Sequence, residues 1–100
     1  MIICNETVIV DEAIHKQWLS WIQNEYIPMV MGTGYFNTFT ILNVLDSPNE
    51  GVTYCIQYFT DSLENYNHFN QKYSQQLQAI HQQQFENQFV SFTTIMQTVN

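Results

Sequence analysis

The hydrophobic pattern changes its period within residues 18–36, and this change limits the folds that the chain can adopt. Up to Ile27, apolar side chains recur every three or four residues, as they do along one face of a helix. From Tyr35 onward the pattern is closer to the alternation that is typical of a strand. Pro28 disfavours a continuing helix at Ile27 and opens a short further turn. The stretch therefore predicts a long amphipathic helix that leads through a turn into an inner strand.

Six elements of secondary structure follow from the pattern along the whole chain. The predicted order is strand 2–10, helix 11–27 with a further turn at 28–31, strand 35–45, strand 52–59, helix 61–87 and strand 89–99. Asp11 and Asp61 are the predicted N-caps, and the second helix is expected to break near Ser74. Right-handed crossovers then give an α+β, ferredoxin-like β-α-β-β-α-β domain with a four-stranded antiparallel sheet and both helices on one face.

The whole chain, residues 1–100, is expected to form this single domain, because its length suits one hydrophobic core and no linker divides it. The sheet face without helices also needs a cover. It carries apolar side chains among Thr and Gln, including Ile3, Ile9, Cys55 and Phe59. Such a face is rarely left in water. Pairing of two sheets therefore predicts a twofold homodimer.

The charge balance excludes several classes of partner. Nine Asp and Glu stand against two Lys and no Arg, giving a formal net charge of −7. Nucleic acid and anionic membrane surfaces need clustered basic residues, so neither is an expected partner. No apolar run approaches the ~18 residues of a membrane-spanning helix, and the first residues lack the features of a signal peptide. Cys4 and Cys55 fit buried free thiols, so a cytoplasmic location is expected.

Aromatic residues on the first predicted helix are candidates for a binding site. Trp18 and Trp21 lie on its apolar stripe, and Tyr26 widens that stripe. Together they are suited to line an aromatic pocket for a flat apolar ligand. The alternative is that the three side chains simply form the hydrophobic core.

Glu25 and His81 are the candidate acid–base residues. Glu25 lies on the stripe of the two tryptophans, where burial would raise its pKa and suit a general base; the alternative is an exposed residue at the helix end. His81 lies at the edge of a buried stripe and changes charge near neutral pH; the alternative is hydrogen-bonded scaffolding. His15 and His68 are expected to be exposed. Three scattered His give no metal site, and no motif indicates a cofactor.

Several short stretches resemble a family of short bacterial proteins of unknown function, and the resemblance covers nearly the whole chain. They are Trp18-Leu19-x-Trp21, Ile27-Pro28-x-Val30-Met31, Thr33-Gly34-x-Phe36, Glu50-Gly51-x-Thr53-Tyr54, Gln57-Tyr58-Phe59, His81 and Phe85-x-x-x-Phe89-Val90. The chain is also similar to the wider dimeric α/β-barrel superfamily. That resemblance implies a pocket in each subunit between the sheet and the helices. In the family, His often stands where this chain has Tyr26, so a His-based acid–base role is not expected there.

The superfamily includes cofactor-independent monooxygenases, isomerases and haem-degrading enzymes, and fold likeness does not choose among them. Asn5 and His81 resemble part of the haem-degrading set, but its Trp on the second helix is absent here, and Asn5 is expected on the face away from the helices. The first-choice function is a homodimer that binds a small apolar or aromatic molecule in the pocket. The alternatives are a cofactor-independent monooxygenase or isomerase with His81 or Glu25 as its base, and a dimeric interaction module without a ligand.

Overall fold

The computed structural model describes residues 1–100 and has the predicted order of strands and helices. The strands are β1 (Ile2–Val10), β2 (Thr38–Val44), β3 (Val52–Thr60) and β4 (Phe89–Gln97), and the helices are α1 (His15–Trp21), α2 (Ile27–Met31), α3 (Leu63–Phe69) and α4 (Gln75–Gln84). A π-helical turn, Ile22–Tyr26, joins α1 to α2, and another, Asn70–Ser74, joins α3 to α4. Residues 15–31 thus form the first long helix and residues 63–84 the second.

The four strands form one antiparallel sheet in the order β2-β3-β1-β4. The predicted ferredoxin-like α+β fold is therefore confirmed. The even-numbered residues of the central strands face the helices, and Val8 on β1 and Ile56 on β3 are fully buried there. Because successive residues of a strand face opposite ways, Asn5 lies on the face away from the helices. None of the helices combines the length and hydrophobicity that crossing a bilayer requires.

The first long helix begins and continues differently from the prediction. Asp11 makes no side-chain cap; its backbone N–H donates to the Gln88 carbonyl, and a 3-10 turn, Glu12–Ile14, precedes α1. The helix also does not end at Ile27, because α2 continues it with Pro28 in its first turn. Pro28 has no N–H to donate to the carbonyl group four residues earlier, so one helical hydrogen bond is absent there. The wide π turn, Ile22–Tyr26, lies just before Pro28 in the chain.

The N-cap of the second long helix lies one residue later than predicted, at Ser62 in place of Asp61. The Ser62 hydroxyl, not the Asp61 carboxylate, accepts from the backbone N–H of Asn65, at 3.1 Å. Asp61 instead accepts from the side-chain amide of Asn37, at 3.0 Å. The expected break near Ser74 takes the form of a π turn, so the helix widens there without stopping.

The sheet face opposite the helices, here called the outer face, exposes apolar side chains along both edges. Val90 and Phe92 on β4 are 63% and 57% exposed, and Leu42 and Val44 on β2 are exposed to 45% and 40%. The strand register places all four on this face, since directly opposed residues of antiparallel strands share a face. The outer face is thus apolar at its edges, on β2 and β4, whereas the sequence pattern points to Ile3, Ile9, Cys55 and Phe59 on the two central strands.

The turn between β2 and β3 requires glycine at position 51. Gly51 has a φ of +90°, in the left-handed region that side chains disfavour, and a Cβ there would collide with the Val10 carbonyl oxygen. This close approach holds the start of β3 against the end of β1, where Val10 pairs with Val52.

Candidate functional site

His81 lies at the centre of an aromatic cluster between the two long helices and β4. Phe89 stacks on its ring with centroids 3.9 Å apart and planes 6° apart. The ring centroids of Trp18, Trp21 and Tyr26 lie 6.1, 5.8 and 5.2 Å from that of His81. The four residues that the sequence analysis predicted to bind a ligand therefore lie together. Their rings pack on one another as part of the buried core and the shell around it.

A hydrogen bond fixes the protonation of His81. The Trp18 indole N–H donates to His81 Nε2 at 2.9 Å, and both side chains are buried. Indole nitrogen is only a donor, so Nε2 must carry its lone pair and the imidazole proton must lie on Nδ1. Burial lowers the pKa of His81 from 6.5 to about 4. Protonation would also place two N–H donors against each other, so His81 is neutral at physiological pH.

The proton on His81 Nδ1 faces the carboxylate of Glu6, whose Oε1 lies 3.7 Å from Nδ1. This is too long for a hydrogen bond, although it falls within ion-pair range. The Glu6 side chain is only 15% exposed, and burial raises its pKa from 4.5 to about 7. The two pKa values move in opposite directions, so the pair is mostly uncharged between about pH 4 and 7.

Glu6 has an unsatisfied oxygen. Its Oε1 is inaccessible to solvent, and no group of the protein donates a hydrogen bond to it. The hydroxyl of Tyr58 on β3 is also buried and unpartnered. Buried polar atoms are nearly always hydrogen-bonded in native proteins, and leaving one unmatched costs about 1–3 kcal/mol. Two such atoms, one on β1 and one on β3, therefore lie buried without a hydrogen-bond partner in the protein.

These two residues line a cavity of about 90 Å³ between the sheet and the two long helices, here called the inner cavity. Every layer contributes to its wall: Cys4, Glu6, Tyr58 and Thr93 from the sheet, Tyr26 and Val30 from the first long helix, and Tyr66, Phe69, Asn70, Ser74, Leu77 and Gln78 from the second. Both π turns supply lining residues, which agrees with the frequent occurrence of such turns at functional sites.

A second concavity, here called the edge groove, meets Glu6 from the other side. It has a volume of about 250 Å³ and runs between α4 and β4, with mostly polar walls. Glu6, Gln78 and Thr93 line both the inner cavity and the edge groove, and His81 lines the groove. The side chain of Glu6 thus lies where the two spaces adjoin.

The sequence-predicted site residues divide into three groups. Tyr26 lines the inner cavity and His81 the edge groove. Trp18 is fully buried and lines neither space, while Trp21 lies half-buried against Tyr26 and Phe85. Glu25 is exposed, because the π turn takes one more residue per turn and brings Tyr26 to the buried face in its place. Glu25 is therefore remote from the inner cavity.

Glu6 was not among the site residues predicted from the sequence. It lies on the face of β1 that also carries Cys4, Val8 and Val10, all buried. A single carboxylate in the middle of an otherwise apolar strand face was a readable signal, because charged residues are almost never buried without a purpose or a partner. The expectation of an exposed His15 was also wrong: His15 is half-buried, and its Nδ1 lies 2.9 Å from the Tyr54 hydroxyl.

Asn5 and His81 are not brought together. Asn5 lies on the outer face, where it accepts from Gln57 and donates to Thr7 at 3.2 and 3.0 Å. The part of the haem-degrading set that these two residues resemble is therefore split between the faces of the sheet. No group of three or more His, Cys, Asp or Glu lies close enough to hold a metal ion.

Comparisons with known proteins agree with this architecture. A family described as "Domain of unknown function (DUF4286)" matches residues 1–99. HapK from Hahella chejuensis is similar in structure, with a TM-score of 0.71 and 12% identity over 99% of this chain and 93% of that one. A dimeric ferredoxin-like protein from an uncultured marine organism has a TM-score of 0.70 and 8% identity, over 99% of this chain and 95% of that one. A protein of the EthD family from Bacillus halodurans has a TM-score of 0.67 and 11% identity, over 99% of this chain and 100% of that one. No curated protein matches the sequence.

Proposed function

The chain belongs to the DUF4286 family, whose description assigns no function, and we propose from its own site that it is a homodimer that binds a small molecule in the inner cavity. The observation that carries this proposal is the unpartnered Oε1 of Glu6 together with the unpartnered hydroxyl of Tyr58. A ligand with a polar group would satisfy both atoms. The surrounding aromatic and aliphatic side chains would cover its apolar part.

The size of the inner cavity narrows the proposal. Pockets for drug-sized ligands are typically ~300–1,000 Å³, and an engineered apolar cavity of ~150 Å³ admits benzene. A cavity of about 90 Å³ is smaller than either. The ligand is therefore smaller than the flat aromatic molecule that the sequence pattern suggested, unless its remainder extends into the edge groove.

A small-probe titration tests the binding site. We expect at least one of three probes, methylammonium, ethanol and acetate, to shift backbone amide signals of residues around the inner cavity in nitrogen-15 NMR spectra. Ser74 lines the inner cavity, so the larger side chain of Ser74→Leu should fill part of the cavity and abolish these shifts. Gln75→Leu adds the same side chain at the next, exposed position and should leave them intact. Silence from all three probes, or unchanged binding in Ser74→Leu, would refute the binding site.

The homodimer is supported by the exposed apolar edges of the outer face and by the similarity to a dimeric ferredoxin-like protein. We expect light scattering at micromolar concentration to give twice the mass of one chain. Phe92→Asp should shift the protein toward the monomer, because it buries a charge in the paired faces. Leu45→Asp changes a residue that is 87% exposed in the β2–β3 turn and should leave the mass unchanged. A monomeric mass for the wild-type protein would contradict the homodimer but would have no bearing on the proposed binding site.

A further inference from the structure

We propose that the ligand of the inner cavity is a small organic ammonium ion, held by the carboxylate of Glu6 and by the aromatic side chains around it. This inference rests on the proposed function and names the chemical class of its ligand. It follows from the charge, the hydrogen-bonding capacity and the aromatic content of the cavity wall.

The cavity wall carries one acidic group and no cation. Lys16 and Lys72, the only Lys or Arg residues, are exposed and do not line the space. An anionic ligand would therefore meet the Glu6 carboxylate without any positive partner, and its binding would be opposed. The net charge of −7 adds a field over the whole surface that attracts cations and repels anions.

The other titratable groups around Glu6 leave it as the only charge at neutral pH. Burial raises the pKa of Cys4 to about 12 and raises those of Tyr26, Tyr58 and Tyr66 above their ordinary value. His81 is neutral because burial lowers its pKa. Once Glu6 ionises, its charge has no counter-ion within the protein. A bound ammonium ion would supply one and would hydrogen-bond to the unpartnered Oε1.

The remaining wall suits the organic part of such an ion. Tyr26, Tyr58, Tyr66 and Phe69 line the cavity, and aromatic rings attract cations through their electron-rich faces. The polar lining residues outside this group, Asn70, Ser74, Gln78 and Thr93, all offer oxygen acceptors for further N–H donors. A volume of about 90 Å³ restricts the ion to a size near that of methylammonium.

The experiment compares methylammonium chloride, ethanol and sodium acetate at matched ionic strength, with nitrogen-15 NMR of the complete chain as the readout. We expect methylammonium to bind at least tenfold more tightly than ethanol, because a charge-assisted hydrogen bond is stronger than a neutral one, and acetate not to bind. Glu6→Gln should weaken methylammonium at least tenfold and ethanol by a smaller factor. A second measurement needs no variant. Saturating methylammonium should lower the pKa of Glu6, which carbon-13 NMR of its carboxyl group can measure.

The outcomes separate this inference from the proposed function. Ethanol or acetate that binds as tightly as methylammonium, with loss of binding in Ser74→Leu, would overturn the ammonium ligand and leave the cavity as a binding site. Unchanged methylammonium affinity in Glu6→Gln, or an unchanged pKa of Glu6 at saturation, would overturn it as well. Failure of all three probes would overturn both proposals.

Discussion

Trp18→Ala is expected to lower the free energy of unfolding by roughly 3–5 kcal/mol, the usual range for truncation of a large buried aromatic residue. Trp18 is fully buried, stacks on Tyr54 with ring centroids 5.1 Å apart and donates to His81. The truncation opens a cavity and leaves His81 Nε2 without its donor. Against a total stability of about 5–15 kcal/mol for a typical domain, this loss brings the protein close to unfolding.

Trp18→Phe and Trp21→Ala separate the two contributions. Trp18→Phe keeps most of the ring but removes the indole N–H, so it should cost about 1–3 kcal/mol, the range for an unmatched buried acceptor. Trp21→Ala removes the same side chain as Trp18→Ala from a half-buried position without a hydrogen bond, and it should cost less than Trp18→Ala. Urea midpoints at unchanged slope measure all three. Equal losses in Trp18→Ala and Trp21→Ala would show that burial and the bond to His81 have no special effect.

The fold could be predicted because its signals are local and mutually consistent. The alternation along residues 52–59 and the helical spacing around Trp18 each specify one element, and their order leaves few antiparallel arrangements. Tertiary contacts, and not the local pattern, determine where the two long helices begin. Asp11 and Asp61 are both good N-caps in isolation, yet the first bonds through its backbone to Gln88 and the second accepts from Asn37.

The candidate site was harder to predict because a small change in helical geometry moves residues between faces. An α-helical period places Glu25 on the stripe of Trp18, whereas the π turn buries Tyr26 in its place. Sequence spacing does not reveal such a turn. Glu6 differs, because the strand pattern alone could have predicted that it faces the helices. Its role, however, depends on His81, 75 positions along the chain, and on the cavity that both long helices complete.

The pair Glu6 and His81 predicts that two opposite pH dependences of stability cancel in the wild-type protein. Glu6 binds its proton more tightly when folded, because its pKa rises from 4.5 to about 7. Its contribution to the free energy of unfolding therefore falls as the pH rises through this window. His81 binds its proton less tightly when folded, since its pKa falls from 6.5 to about 4, and its contribution rises with pH between those values.

Single variants should expose each dependence. His81→Gln, which keeps an acceptor for Trp18, leaves Glu6 alone, so the free energy of unfolding should drop by about 3 kcal/mol between pH 4.5 and 7. In Glu6→Gln, His81 is the only titrating member of the pair, so the free energy of unfolding should instead rise by about 3 kcal/mol between pH 4 and 6.5. Cys4, Tyr26, Tyr58 and Tyr66 titrate above both windows.

The double variant Glu6→Gln/His81→Gln provides the baseline, because it retains every other titratable group of the chain. Urea unfolding at half-unit steps of pH gives the free energy of unfolding for all four proteins. Subtracting the double variant should leave a falling curve for His81→Gln, a rising curve for Glu6→Gln and a nearly flat one for the wild type between pH 4.5 and 6.5. Reversed slopes, rising for His81→Gln and falling for Glu6→Gln, would mean that the folded protein stabilises each group in its charged form, with Glu6 as carboxylate and His81 as imidazolium. The folded protein would then hold an ion pair between Glu6 and His81, and not an uncharged pair.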